Sequence, residues 1–239
     1  VNVISRASLQ DTQIENGQEV GLFVKKASPL TDILYSNEKI TANGSGGFAY
    51  SSSMFYPISN ENVDFYAYHP FETGNLLDNT LTFHVKADQS VKANYLNSDL
   101  LYAENTNVAK TTSAVPMKFY HKLTKLNFTV KEGSGMDLSG MTSVEVLGLN
   151  PAVTMDLKGV VISAASGSVT PIIAYGTRGT TADETQVSDI SAIIAPQALT
   201  AGNKLFKITL NGNTANEVSY YYTPSESMNF EGGKKYNYI

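Results

Sequence analysis

The chain has 239 residues, a formal net charge of -5 with only 16% charged residues, and no cysteine. That length can bury a substantial core, as one large β-domain or two of ordinary size. With no Lys/Arg-rich run there is no electrostatic footprint for nucleic acid or an anionic membrane, and without thiols there is no disulfide, thiolate catalysis or Cys-ligated metal.

No apolar run approaches the roughly 18 residues of a membrane span. The chain starts at Val1 without an initiator Met or a signal-peptide core, as expected where a leader has been removed or left out. Val1 to Ala7 reads as a short extended segment. Glu19 to Lys25 (EVGLFVK) is a better strand, with Val20, Leu22 and Val24 on one face. Pro29 opens a loop in which Leu30, Ile33 and Leu34 have a brief helical spacing, too short to hold a helix by itself. Asn43 to Gly47 (NGSGG) is a turn. Val63, Phe65, Ala67 and His69 then alternate with Asp64, Tyr66 and Tyr68 until Pro70 stops the strand. Leu81, Phe83 and Val85 repeat the pattern. Asp88-Gln89-Ser90 leads to the strand Asp99 to Ala103, followed by a polar loop rich in Asn and Thr.

The stretch Val115 to Val130 (VPMKFYHKLTKLNFTV) is too long for one strand and changes phase. Met117, Phe119, His121 and Leu123 share one face, while Leu126, Phe128 and Val130 take the other. A step of three between Leu123 and Leu126 cannot keep one face inward at period 2, so the chain must bulge or change sheets near Thr124 and Lys125. Beyond this crossing, Val144 to Leu147 and Val153 to Leu157 are strands, the latter ending at Lys158-Gly159. Val169 to Tyr175 and Ala192 to Ala195 are apolar and β-branched, separated by a Gly, Thr and Asp loop around Arg178 to Asp189. Leu205 to Leu210 turns at Asn211-Gly212-Asn213 toward Val218 to Tyr222, and Gly232-Gly233 precedes a last strand, Lys234 to Ile239. Turn spacing on both sides of the crossing is that of β-sandwiches, so the expected fold is all-β with two β-sandwich domains in tandem, residues 1–122 and 123–239.

Searching for chemistry returns few candidates. There is no GxSxG elbow, HExxH helix, Walker A loop, GxGxxG opening a helix, or EF-hand loop. The three histidines, His69, His84 and His121, all sit on strand patterns, and His121, beside Phe119 and Leu123, reads as a hydrogen-bonded core residue rather than a base or metal ligand. Carboxylates are scattered and none stands out as a glycosidase pair. No catalytic residue, metal or cofactor is expected, and the chain reads as a non-enzyme. Tyr220, Tyr221 and Tyr222, from a pool of 14 tyrosines, could stack on sugars, although tyrosine is also an ordinary strand residue. Arg6 and Arg178 are the chain's two arginines. Arg178 is expected to point into solvent, and Arg6 is open to an Arg-specific protease wherever the terminal segment frays.

Taken in order, VNVISRA (Val1 to Ala7), GQEVGLF (Gly17 to Phe23), Gly46-Gly47 before Tyr56-Pro57, VDFYAYHP (Val63 to Pro70), Asp88-Gln89-Ser90, SDLLYA (Ser98 to Ala103), FYHKLTKL (Phe119 to Leu126), IAPQ (Ile194 to Gln197) and GGKKYNYI (Gly232 to Ile239) together resemble the fimbrillin-like family of Bacteroidetes, the subunits of type V pili. The resemblance runs nearly end to end. It implies a surface lipoprotein precursor, attached to the outer membrane only through a lipid anchor, with a second domain that is transthyretin-like. It also implies that an Arg-specific protease removes the N-terminal strand and that a strand of a neighbouring subunit replaces it.

On this chain Val1 to Arg6 resembles the strand to be removed, Arg6-Ala7 the cleavage bond, and Val1, Val3 and Ile4 the exchanged residues. The partners implied are other fimbrial subunits and, for a tip subunit, a host or microbial surface ligand. Lys234 to Ile239 looks like the strand that completes the second domain, with no donor segment after it, as expected of a tip or accessory subunit or of a chain lacking its tail. The alternative is a non-polymerising surface lipoprotein that binds glycan or protein ligands.

Overall fold

The computed structural model describes residues 2–5, 13–30, 32–73, 76–77, 80–156, 158–164 and 167–239. In chain order come β1 (Asn2–Ser5), β2 (Glu19–Lys26), β3 (Ile33–Ala42), β4 (Phe48–Tyr50), β5 (Val63–His69), β6 (Leu76–Leu77), β7 (Thr80–His84), the short helix α1 (Lys92–Leu96) and β8 (Leu101–Val108). There follow β9 (Tyr120–His121), β10 (Thr124–Lys131), β11 (Met141–Val146), β12 (Ala152–Asp156), β13 (Val161–Ala164), β14 (Ile172–Ile173) and β15 (Gln186–Ile194). The last are β16 (Gln197–Leu199), β17 (Phe206–Leu210), β18 (Val218–Tyr222), β19 (Met228–Phe230) and β20 (Lys234–Tyr238). The fold is all-β.

The larger sheet has the order β4-β3-β2-β5-β8-β9. Its central strands are buried on both faces, which period 2 makes visible. Val20, Leu22 and Val24 of β2 join Ala67 and Leu101 in one apolar cluster, whereas Phe23, Tyr68 and Tyr102 point the other way into the main core. Two four-stranded sheets, β1-β20-β10-β15 and β14-β11-β17-β18, enclose much of that main core. A further sheet, β13-β12-β7-β6, and the ribbon β16-β19 complete the described strands.

The phase change in Val115 to Val130 is a change of sheet. β9 pairs with β8 in the six-stranded sheet, and β10, beginning at Thr124, lies between β20 and β15. Met117 and Phe119 accordingly pack on the smaller cluster and Leu123, Leu126 and Phe128 in the main one. Pairings nonetheless run across residue 123, among them β7 with β12, β1 with β20 and a bridge between Asp88 and Ile173. The main cluster likewise draws Phe23, Tyr68 and Phe83 from one side and Leu126, Ile190 and Phe230 from the other.

Several local expectations need correction. Ile33 and Leu34 open β3, so their spacing is not helical; a strand forms because β2 and β4 supply hydrogen-bonding partners on its two edges. Alternation there is broken by Asn37, whose φ is 52° and whose side chain accepts from the Tyr68 hydroxyl at 2.9 Å. The Asn- and Thr-rich segment after Ala103 is the outer part of β8, polar because that end of the strand is exposed. In Val169 to Tyr175 only Ile172–Ile173 is strand, whereas β15 starts as early as Gln186.

Candidate functional site

β20 has a different partner on each edge. Its inner edge runs parallel to β10, and its outer edge carries the four-residue β1, antiparallel, with Asn2 opposite Asn237, Val3 opposite Tyr236, Ile4 opposite Lys235 and Ser5 opposite Lys234. Val3 and Ile4 lie in β1, while Val1, Arg6 and Ala7 fall outside the described residues. β20 itself is anchored from below: Tyr236 is buried, and its hydroxyl donates to Asn229 O at 2.9 Å and accepts from Glu231 N at 3.1 Å.

Beside this edge the two four-stranded sheets splay to leave a groove of about 510 Å³, lined by Phe128, Val130, Phe206, Ile208, Tyr222 and Tyr238 among others. Asn237, the partner of Asn2, is also in its wall. The rings interlock, with Phe206 edge-on to Phe128 (centroids 4.6 Å) and to Tyr238 (4.5 Å) and stacked on Tyr222 (5.5 Å). Burial, followed by the neighbouring Tyr222 and Tyr236, pushes the Tyr238 hydroxyl well above the usual tyrosine range, so it stays neutral. The groove is lined mainly by apolar and aromatic side chains, a surface that suits an extended peptide.

Tyr220, Tyr221 and Tyr222 lie on β18, the edge strand beside β17, and all three are exposed. They do not form one platform. Tyr222 and Tyr220 stand opposite Phe206 and Ile208, on the groove side, while Tyr221 stands opposite Lys207 on the other face and receives the Lys204 ammonium at 3.8 Å from its ring centre. Consecutive residues of a strand alternate faces, so no run of three could share one.

A second aromatic hollow lies on the face of the six-stranded sheet turned away from the main core. Its volume is about 260 Å³, and Tyr35, Tyr50, Phe55, Tyr56 and Phe65 line it. The Tyr35 hydroxyl accepts from Phe55 N at 2.6 Å and donates to Phe55 O at 3.3 Å, fixing that backbone while the Phe55 ring stays 74% exposed. The Tyr56 hydroxyl is buried and has no hydrogen-bond partner among the described residues. Local patterning does not reveal this site, because its residues come from separate segments between Val24 and Val115.

Among the described residues, no three of the His, Asp and Glu side chains gather as a metal site would require. His121 Nδ1 lies 3.0 Å from Asp99 Oδ1, and His69 Nδ1 donates to Asp99 O at 3.0 Å while its Nε2 faces the Gln18 amide at 3.0 Å. Both read as structural. Burial lowers the His69 pKa below 6.5, outweighing the opposing pull of Asp99, so the native ring resists a proton that the unfolded chain takes up. Stability should therefore be full above pH 6.5 and fall as pH drops through it, by up to about 1.4 kcal/mol per pH unit. Urea unfolding of the wild type and His69→Gln between pH 7.5 and 5 checks this; equal slopes would refute it.

Arg178 is exposed, as expected, and in addition its guanidinium forms a two-pronged bond to Glu184, 2.8 Å to each oxygen. The Arg178 charge, with Thr181 N and Oγ1 as further donors, holds the Glu184 carboxyl at about 2.

A model of the fimbrillin-like family matches residues 5–239. A candidate fimbrium subunit of Bacteroides uniformis, Fim1C, is 27% identical over 237 residues, covering 95% of this chain and 74% of that protein. Among solved structures, a candidate cell adhesion protein of Bacteroides uniformis superposes with a TM-score of 0.73 at 24% identity, over 96% of this chain and 88% of that one. A candidate cell adhesion protein of Bacteroides ovatus gives 0.71 at 19%, over 98% and 84%. At these identities the superpositions speak for the fold.

Proposed function

Because the chain belongs to the fimbrillin-like family, we propose that it is a subunit of a bacterial surface fimbria, stalk or tip, assembled by protease-triggered β-strand exchange. In this reading it is exported as a lipoprotein precursor, reaches the outer membrane on a lipid anchor, and works as two β-sandwich domains, 1–122 and 123–239, the second transthyretin-like. Cleavage of the Arg6-Ala7 bond releases Val1, Val3 and Ile4 with the rest of the terminal strand, and a strand from another subunit takes the vacated edge of β20.

The observation that supports this best is the position of β1, which among the described residues lies at a sheet edge and pairs with β20 alone. Each main-chain hydrogen bond contributes about 0.5–1.5 kcal/mol net, so a donor that replaces those bonds and also fills the groove with apolar side chains, at about 1.5–3 kcal/mol apiece, displaces the terminal strand favourably. Limited digestion of the folded protein with an Arg-specific endopeptidase is expected to give a new N-terminus at Ala7 with the remaining chain folded. A folded chain that keeps residues 1–6 while a denatured control loses them would defeat the reading. Size-exclusion chromatography of the cleaved product then separates polymerising subunits from those that only accept a strand.

A second reading, a surface protein that binds a glycan or protein ligand, draws on the hollow around Tyr56, whose buried hydroxyl awaits a partner. That site suits a ligand better than Tyr220, Tyr221 and Tyr222, which are split between two faces. A glycan array probed with the wild type and Phe55→Ala decides it: binding lost in the variant supports the second reading.

A further inference from the structure

The two arginines of this chain are not equally open to a protease. We propose that Glu184 guards Arg178, withholding the Arg178-Gly179 bond from Arg-specific endopeptidases so that processing of the folded chain falls at its N-terminal side. This rests on the reading above for the choice of protease, but the guarding itself is a property of residues 174–184.

An endopeptidase of this class must take the arginine guanidinium into an acidic pocket of its own and draw several residues on each side of the bond into an extended strand. Hydrolysis then adds one water across the Arg178-Gly179 peptide bond, leaving a carboxylate on Arg178 and an amino group on Gly179. Each requirement is opposed here. The guanidinium already has a carboxylate, held in the two-pronged geometry that is the strongest available to arginine, and it also donates to Gly179 O at 3.1 Å. Glu184 is itself fastened, accepting from Thr181 N at 2.7 Å and from Thr181 Oγ1 at 2.9 Å. Arginine, carboxylate and the intervening turn therefore close a ring, so that withdrawing the guanidinium means opening the turn.

The residue after the bond is pinned as well. Gly179 runs so close to the 3-10 turn Leu138–Gly140 that a Cβ on it would come within 1.9 Å of Ser139 O. Next to it, Thr180 N donates to Leu138 O at 3.1 Å. That turn is braced in turn by Asp137, whose side chain accepts from Ser139 N at 2.8 Å. On the other side, the Thr177 hydroxyl donates to Ala174 O at 3.4 Å, and Tyr175 exchanges two main-chain bonds with Ser191 of β15. An exposed surface ion pair contributes little stability by itself. Its importance here is positional, because it occupies the one side chain that the protease must capture.

The test digests folded wild type, Glu184→Gln and Glu184→Ala with an Arg-specific endopeptidase and follows fragments 1–178 and 179–239 by intact mass, with circular dichroism of the same samples to confirm folding. Wild type is expected to resist at Arg178, Glu184→Ala to be cut there at least tenfold faster, and Glu184→Gln to fall between because its amide oxygen still serves Thr181 but carries no charge. Equal cutting of wild type and Glu184→Ala would overturn the proposal. So would resistance of both variants while a urea-unfolded control is cut, since backbone packing rather than Glu184 would then be the guard. Cleavage at Arg6 is read from the same spectra and reports separately on strand removal.

Discussion

Replacing Gln89 with alanine is expected to destabilise the protein by about 3–5 kcal/mol, because its amide stands in for a missing strand. Gln89 is wholly buried, and its side chain imitates a peptide group: Oε1 accepts from Ile193 N at 2.8 Å and Nε2 donates to Ile193 O at 2.8 Å, with a further bond to Lys86 O at 3.2 Å. Ile193 lies on the outer edge of β15, where among the described residues no strand of the sheet follows. Farther along the same edge, Tyr175 pairs with Ser191, and Tyr95 of α1 stacks on Tyr175 at 4.9 Å while receiving the Ser191 hydroxyl at 3.0 Å. Truncating Gln89 leaves a buried N–H and C=O unsatisfied, each costing about 1–3 kcal/mol. Urea midpoints for Gln89→Ala and Gln89→Leu measure it. Leucine restores volume without hydrogen bonds, so a Leu variant as stable as wild type would show that packing, not edge closure, is what Gln89 supplies. Side chains thus close the β15 side of this sheet, whereas β1 lies at its other edge.

Gly159→Ala should cost about 2–5 kcal/mol, although it adds one methyl group at the end of a surface turn. Gly159 has φ of 73°, and an added Cβ would meet the Tyr102 ring at 2.2 Å. The left-handed conformation costs an alanine about 1–2 kcal/mol, and forcing the ring aside about 1–3 kcal/mol more. Neither side can yield easily. The turn is held by Asp156, whose side chain accepts from Lys158 N and Val160 N at 2.9 Å each. Tyr102 is buried in the main core, and its hydroxyl donates to Glu104 Oε2 at 3.1 Å. This contact joins β8 of the six-stranded sheet to the turn after β12, so the damage falls where the two parts of the chain meet. A double-mutant cycle with Tyr102→Ala separates the terms: removing the ring should recover at least about 1 kcal/mol of the Gly159→Ala loss. Full additivity would mean that the ring is not in the way.

The phase slip between Leu123 and Leu126 located the change of sheet to within a few residues, because side-chain direction in a strand is set by the immediate neighbours. The same rule sorted Val20, Leu22 and Val24 from Phe23, and stopped β5 before Pro70. It failed for β3, where the left-handed Asn37 interrupts the period, and for the outer part of β8, which is strand only because β5 runs beside it. Of the site, the strand from Val218 to Tyr222 and the two arginines could be read, but not the edge position of β18 or the division of Tyr220, Tyr221 and Tyr222 between groove and outer face, which depends on their register with β17.

By itself, then, the sequence determined an all-β chain, the absence of thiol chemistry, the crossing near Thr124 and a family resemblance carried by short motifs in order. Only the tertiary structure decided that β1 lies on β20, that Gln89 closes the far edge of the same sheet, and that Arg178 is held by Glu184 while Gly179 runs against Ser139. The physical reason is range. Alternation and turn chemistry are local, whereas Asn2 and Asn237 sit at opposite ends of the chain and Gln89 reaches a residue 104 positions away, and such partners are chosen by the closing of the core as a whole.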